Sequence, residues 1–330
     1  MPTVGIIANP AAGKDIRRLV AQGRVVSNQE KSNILRRVFA GLQSQGVNTV
    51  IVMPDMAGLA RNAMSDTQET MQSEFIDQMP TGSQRDSTVA AQIMRDAGAD
   101  CILTLGGDGT NRLVAKGCGD VPLAPISTGT NNVFPKEIEG TLAGIAAATV
   151  AKNPHIRDLV CRRSKTIDII VNGGLRDIAR VDAAVSRQTM IGARALWDVG
   201  PLEAVFLTRA EASRIGIASI GARLALIAID DARGLHISFP GPGQPGEESV
   251  VAPIAPGMVR EVPITGWKVI EPGETVLVQA SRGTIALDGE REIELLEGMR
   301  TAVRISTEGP WVVDFDRALQ VACSNAEMRM

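Results

Sequence analysis

Tyrosine is absent from this 330-residue chain, and aromatic residues make up only 3% of it. Its cores must therefore be aliphatic, and few rings are available to stack on a nucleobase or a sugar. Cysteine is scarce and scattered: Cys101, Cys118, Cys161 and Cys323 form no CxxC pair. That spacing argues against a zinc site or a disulfide framework and fits reduced thiols in a cytoplasmic protein. The segment Met1 to Ile7 lacks both a basic stretch and a long apolar run, so no signal peptide is expected. No apolar run approaches the roughly 20 residues that span a bilayer, which argues against an integral membrane protein. There is no dense Lys/Arg block and the net charge is -3, which argues against a nucleic-acid partner. His155 and His236 are the only histidines. Neither has metal-like or triad-like spacing, and each reads as a surface or loop residue.

What is present is the balance of a folded chain, with 44% hydrophobic and 22% charged residues. The first part alternates strand and helix signals. Val4 to Ala8 reads as a buried strand ended by Asn9-Pro10. A helix follows from about Ser27, where Ser27 and Glu30 have capping-box spacing, and it ends at Gly46. Ile34, Leu35, Val38, Phe39 and Leu42 give that helix one apolar face. Val47 to Met53 is the next strand, and Ser65 to Gln84 reads as surface helix or loop. A helix over Thr88 to Ala97 precedes strands at Cys101 to Leu105 and Leu123 to Ile126. This alternation predicts an α/β fold with a parallel sheet.

Near Lys152 to Pro154 the pattern changes. Short β segments separated by Gly and Pro follow, including Ile167 to Val171, Ile178 to Ser186, Leu235 to Phe239, Ser249 to Ile254, Val276 to Ala280, Thr284 to Leu287 and Ala302 to Ser306. They predict a β-rich, sandwich-like domain. A terminal helix over Asp316 to Met328 can return to the first domain. The expected division is an α/β domain over 1–152, completed by 308–330, and a β-rich domain over 153–307.

Open α/β sheets place ligands at the carboxyl ends of their strands. Three polar segments fall there: Asn9 to Lys14, Gly106-Gly107-Asp108-Gly109-Thr110, and Ser127 to Asn132. Glycines let backbone N–H groups approach phosphate oxygens, and a following helix adds its positive end. Asp108 is either a turn residue or a presented carboxylate, able to accept a hydroxyl proton or to hold Mg²⁺. A P-loop is excluded, because Ala8 stands at its first glycine position and Asp15 follows Lys14. No GxGxxG follows the first strand either. Arg162-Arg163-Ser164-Lys165 can meet phosphates across the cleft but reads first as a solvated linker, and Arg187 and Arg194, flanking Met190-Ile191-Gly192, are weaker candidates for an anionic acceptor.

Asn9-Pro10, Gly106 to Thr110, Gly129-Thr130-Asn131-Asn132 and Asp288-Gly289-Glu290 occur here in the order found in the NAD kinase and diacylglycerol/sphingosine kinase superfamily. The chain resembles that superfamily over nearly its whole length, and most resembles the ATP-NAD kinase-like branch that includes acetoin catabolism protein X. The resemblance implies an α/β domain followed by a β-sandwich, with the active site between them. It implies a kinase that uses ATP and Mg²⁺, with NAD the favoured acceptor. A lipid, a small metabolite of acetoin catabolism, and a catalytically inactive nucleotide-binding regulator are the alternatives. Asp108, Asp288 and Glu290 become the catalytic carboxylates. Asn9, Gly106, Gly107, Gly109, Thr110, Thr130 and Asn132 become the nucleotide contacts. Asp182 becomes an acceptor contact, although Val181 stands where the main NAD kinase branch has Asn, and a solvated strand carboxylate is its other reading. Asp288-Gly289 is also a strong hairpin-turn signal. Family members are often oligomers, so a homo-oligomer is expected.

Overall fold

The structure is a computed structural model that describes residues 1–14, 21–65, 71–129, 131–189, 196, 198–280 and 282–324. Strands β1 (Thr3–Ala8), β2 (Thr49–Val52), β3 (Gln72–Phe75), β4 (Cys101–Gly106) and β5 (Leu123–Ser127) belong to one sheet. So do β6 (Cys161–Arg163) and, from near the chain's end, a strand over Trp311–Val313. The first five strands pair in parallel in the order β3-β2-β1-β4-β5, with Ile6 opposite both Val52 and Leu103. All six residues of β4 are buried, as a parallel strand covered on both faces requires.

Helices α1 (Asn28–Ser44), α2 (Leu59–Met64), α3 (Arg85–Asp96), α4 (Asp108–Ala115) and α5 (Gly140–Lys152) connect and cover these strands. The Ser27 hydroxyl accepts the Glu30 amide and caps α1. Leu35, Val38, Phe39 and Leu42 are fully buried, and Gly46, at φ 74°, closes the element. The helices α1 and α5 cross at two glycines. A Cβ on Gly41 would sit 2.2 Å from the Thr141 carbonyl, and one on Gly144 would sit 2.2 Å from that of Val38.

The chain between β6 and the terminal strand is antiparallel. Strands β7 (Thr166–Val171), β8 (Gly174–Ala179), β9 (Asp182–Ser186), β10 (Leu202–Leu207), β11 (Gly234–Ser238), β12 (Glu248–Ala255), β13 (Met258–Ile264), β14 (Gly266–Ile270), β15 (Thr275–Leu277), β16 (Gly283–Leu287), β17 (Glu290–Leu295) and β18 (Thr301–Ser306) build it. They form a six-stranded sheet ordered β14-β11-β10-β9-β16-β17, a four-stranded sheet ordered β15-β18-β7-β8, and the hairpin β12-β13. Ile167, Ile169, Val303 and Ile305 of the smaller sheet share a core with Val185, Phe206, Ile285 and Leu287 of the larger, so the two stack as a sandwich. The strand over Trp311–Val313, β19, then re-enters the first sheet between β5 and β6. Helix α6 (Phe315–Ser324) follows and buries Phe315 and Ala318 in the core that includes α1 and α5. The expected fold class is present.

Several local expectations need correction. The stretch from Ser65 to Gln84 contains the edge strand β3, paired in parallel with β2; residues 66–70 lie outside the described residues. The expected single segment Ile178 to Ser186 is two strands in different sheets, because the chain breaks at Arg180 and Val181, whose amides turn to the Asp288 carboxylate. His236 is no loop residue: it lies on β11, half-buried, with its ring stacked 4.6 Å from that of Phe206. Arg162 to Lys165 is not a solvated linker. Cys161–Arg163 is strand β6, and buried Lys165 donates from Nζ to the carbonyls of Ala228 and Arg233. The last helix is described to Ser324, and residues 325–328 of its expected span lie outside the described residues.

Candidate active site

The first wall of the site is the carboxyl edge of the parallel sheet. Gly106 ends β4, and Gly107 precedes α4, whose first residue is Asp108. A helix start leaves backbone N–H groups without helical partners and carries partial positive charge. The turn is tied down by Asn111. Its Nδ2 donates to the Gly107 carbonyl at 2.8 Å, and its Oδ1 accepts from the buried Thr104 hydroxyl at 2.6 Å. The turn also has no room for larger residues. A Cβ on Gly106 would meet the Thr110 side chain at 2.6 Å, and one on Gly107 would meet Asn132 Oδ1 at 2.9 Å. Gly109 is different, since a Cβ there would find only Glu290, at 3.6 Å.

The two neighbouring strand ends close on this turn. Asn9 Nδ2 donates to the Thr110 hydroxyl at 2.9 Å, and Asn132 Nδ2 donates to the Ser127 hydroxyl at 2.9 Å. The Asp108 carboxylate reaches across to the segment after β5 and accepts the Val133 and Phe134 amides, the latter at 2.7 Å.

The second wall is the hairpin β16–β17. Asp288, at φ 51°, and Gly289, at φ 77°, form its turn, the left-handed geometry that an Asp-Gly pair supplies. The hairpin-turn reading of this pair therefore holds. The Asp288 carboxylate accepts the amides of Arg180, Val181 and Asp182 at 2.9, 2.7 and 3.3 Å. Burial pushes it up to about 6, against the pull of Arg112. Glu290 points back toward the first wall and accepts from Gln84 Nε2 at 2.7 Å.

Between the walls lies a cleft of about 190 Å³, lined by Asn9, Gly107, Asp108, Gly109, Thr110 and Asn132 from one side and by Asp288 and Glu290 from the other. The structure thus brings these expected residues to one place. Gly106 lies behind the cleft as a packing glycine, and Thr130 lies outside the described residues. Asp182 is buried rather than solvated; its Oδ1 accepts the Gly289 amide, and it lines a smaller pocket beside Asp108 and Asp288. Arg187 donates to the carbonyls of Leu202 and Phe239 and is not in the cleft lining. Residues 190–194 lie outside the described residues.

Sequence reasoning missed the residues that stiffen the site from behind. Lys31 is fully buried, and its ammonium donates to the carbonyls of Asn9, Pro10 and Ala12 at 3.1, 3.0 and 2.8 Å. Drawing the carbonyls onto one cation fixes the loop after β1 from its inner side. Burial lowers Lys31 to about 8. Its one sequence signal is its place four residues before Leu35, a lysine on the apolar face of α1. Arg112, 1% exposed, runs from α4 into the sandwich and lies 3.1 Å from Glu292, 3.4 Å from Asp177 and 3.8 Å from Asp288. It joins the two walls electrostatically. Nothing in its local sequence announces that.

An α/β layer and a β-sandwich meet at a glycine-lined, acidic cleft, and comparison with known proteins places the chain in a kinase-like family. Residues 4–153 match the ATP-NAD kinase N-terminal domain, and residues 165–308 match the acetoin catabolism protein X C-terminal domain. Acetoin catabolism protein X of Cupriavidus necator is 40% identical over 304 residues, covering 88% of this chain and 84% of that protein. The chain belongs to the acetoin catabolism protein X family. Two solved structures of a candidate diacylglycerol kinase from Bacillus anthracis are 13% and 12% identical, with TM-scores of 0.48 and 0.49. Each match covers 94% of this chain, and 97% and 98% of the respective solved chains.

Proposed function

We propose that this protein is a phosphotransferase that moves the terminal phosphoryl of ATP to a hydroxyl group, with Mg²⁺ and with NAD as the leading acceptor. The observation that carries this reading is the convergence of three polar strand ends on one cleft facing Asp288 and Glu290. In this reading 1–152 with 308–330 binds the nucleotide and 153–307 the acceptor.

The residues present fit a nucleotide carrying Mg²⁺. Gly109 stands at a helix start, where phosphate oxygens are favoured, and a Cβ there would be in ordinary contact with the Glu290 carboxyl group at 3.6 Å. Among the described residues no three Asp, Glu, His or Cys are placed to share an ion. Mg²⁺ bound mainly by phosphates needs only one or two protein carboxylates, and Glu290 beside Gly109 is the one in position. That ion would neutralise charge on the transferred phosphoryl group. The protein's own part is placement. Asn9 and Thr110 hold one edge of the phosphate site, Asn132 the other, and Asp108, fixed by two amides, orients the attacking hydroxyl and takes its proton.

The test is incubation with ATP, Mg²⁺ and NAD, followed by an enzymatic assay for NADP. NADP formation that Asp108→Asn abolishes is the expected result; turnover unchanged in that variant would remove Asp108 from the mechanism. One observation favours a smaller alcohol as acceptor. The pocket beside Asp108 that contains Asp182 has a volume of only about 30 Å³ and apolar walls from Leu196, Ile217 and Ile254. No NADP, but ADP release driven by a short-chain hydroxy compound, would select that reading, and it accords with a relative named for acetoin catabolism.

A further inference from the structure

A second cavity, of about 240 Å³, lies on the far side of the segment that holds Asp108. Its walls are apolar, from Phe134, Ile229, Val312 and Phe315. Five cationic side chains also line it, Lys136, Arg162, Arg163, Arg209 and Arg214, against two carboxylates, Glu211 and Asp314. Four of the five have acidic partners: Lys136 with Asp316, Arg162 with Asp314, Arg163 with Asp120, and Arg214 with Glu211.

Arg209 is the exception. It is only 5% exposed, and among the described residues no carboxylate lies within ion-pair distance of it. Its guanidinium donates to the Val133 carbonyl at 3.3 Å and sits 5.7 Å from the Phe134 ring centroid. Arg180, also buried, lies over the same ring at 4.6 Å, with Asp288 the carboxylate that acts on it. Charges taken out of water are normally paired. A buried cation that contacts a carbonyl but no carboxylate, with Glu211 on the same wall the first charge acting on it, is what an anionic ligand would complete.

We propose that this cavity is a second ligand site, separate from the cleft, for a small organic anion whose carboxylate or phosphate meets Arg209 and whose short apolar body lies against Phe134, Ile229 and Phe315. Val133 connects the two sites, since its carbonyl accepts from Arg209 and its amide donates to Asp108.

Isothermal titration of the full chain with hexanoate, phenyl phosphate and hexanol tests the proposal. At least one of the two anions should bind with Kd below about 1 mM, whereas hexanol should not bind; which anion binds identifies the head group. Arg209→Gln should weaken binding at least ~10-fold, as loss of a buried charge partner does. Ile229→Glu, at a half-buried position, should do the same by placing a carboxylate at the site, and it decides the matter where Arg209→Gln does not fold. Failure of both anions to bind, equal binding of hexanol, or affinity unchanged in the folded variants would overturn the proposal. So would binding that is lost instead in Gly109→Ala, which places the ligand in the cleft.

Discussion

Asp108 and Asp288 sit on opposite walls of one cleft, and both direct their carboxylates at backbone amides of a neighbouring segment. Their settings otherwise differ. Asp108 opens a helix, whose positive end favours its charge, and it lines both the cleft and the adjoining pocket. Asp288 occupies a left-handed turn position, its side chain is wholly buried, and burial holds it at about 6. Under the proposed function the parallel sheet presents a carboxylate for use, whereas the sandwich locks one in place to shape a turn and draw Arg180, Val181 and Asp182 around it.

This contrast predicts different failures on the two walls. Asp108→Asn should lower turnover roughly 10²–10⁴-fold, with a melting curve close to that of the parent; steady-state kinetics beside thermal denaturation checks both. Asp288→Ala should act on stability, costing about 3–5 kcal/mol in urea unfolding, because it strands three amides and deprives buried Arg112 of a counter-charge. If the two substitutions prove equally destabilising, the distinction between a used and a locked carboxylate fails.

Lys31→Met should have an intermediate effect, about 1–3 kcal/mol, since three carbonyls lose their donor. It should raise the KM for ATP more than it lowers kcat, because the loop it braces carries Asn9 to the cleft. The last effect concerns pH. Burial beside Phe206 holds His236 at about 4, below its ordinary 6.5. The stability this group contributes is present above 6.5 and is lost as pH falls through 4. Asp288 has the opposite sign: its folded value is raised, so its contribution is present below 3.8 and lost as pH rises through about 6. His236→Phe should therefore flatten the acid-side loss by roughly 1–3 kcal/mol, and Asp288→Asn should steepen it, as seen in urea titrations between pH 4 and pH 7.

The parallel half was the more legible in the sequence, because β1, β2, β4 and β5 are short apolar runs followed by glycine or proline punctuation, whereas the polar edge strand β3 does not stand out. Ser27, Gly46 and the glycines around Asp108 do locally what their chemistry implies. The sandwich was less legible. Strands β10, β13 and β17 carry too weak an alternation to stand out, and the break at Arg180–Val181 depends on a carboxylate more than a hundred residues away. The same limit applies to the site. Asp108, Asp288 and Glu290 belong to compact motifs, whereas Lys31, Arg112 and Gln84 act through distant partners that no window of sequence contains.

The position of β19 has a consequence for how the molecule is made. Because this strand lies between β5 and β6, the first sheet has a gap until residues 311–313 arrive. A ribosome would therefore expose an unpaired edge at β5 throughout synthesis of the whole sandwich, and such an edge invites pairing with other chains. Closing it joins the earliest and latest parts of the polypeptide, a contact of very long sequence separation that slows folding. Amide exchange at β5 should report when that closure happens, late in refolding and after the sandwich is protected.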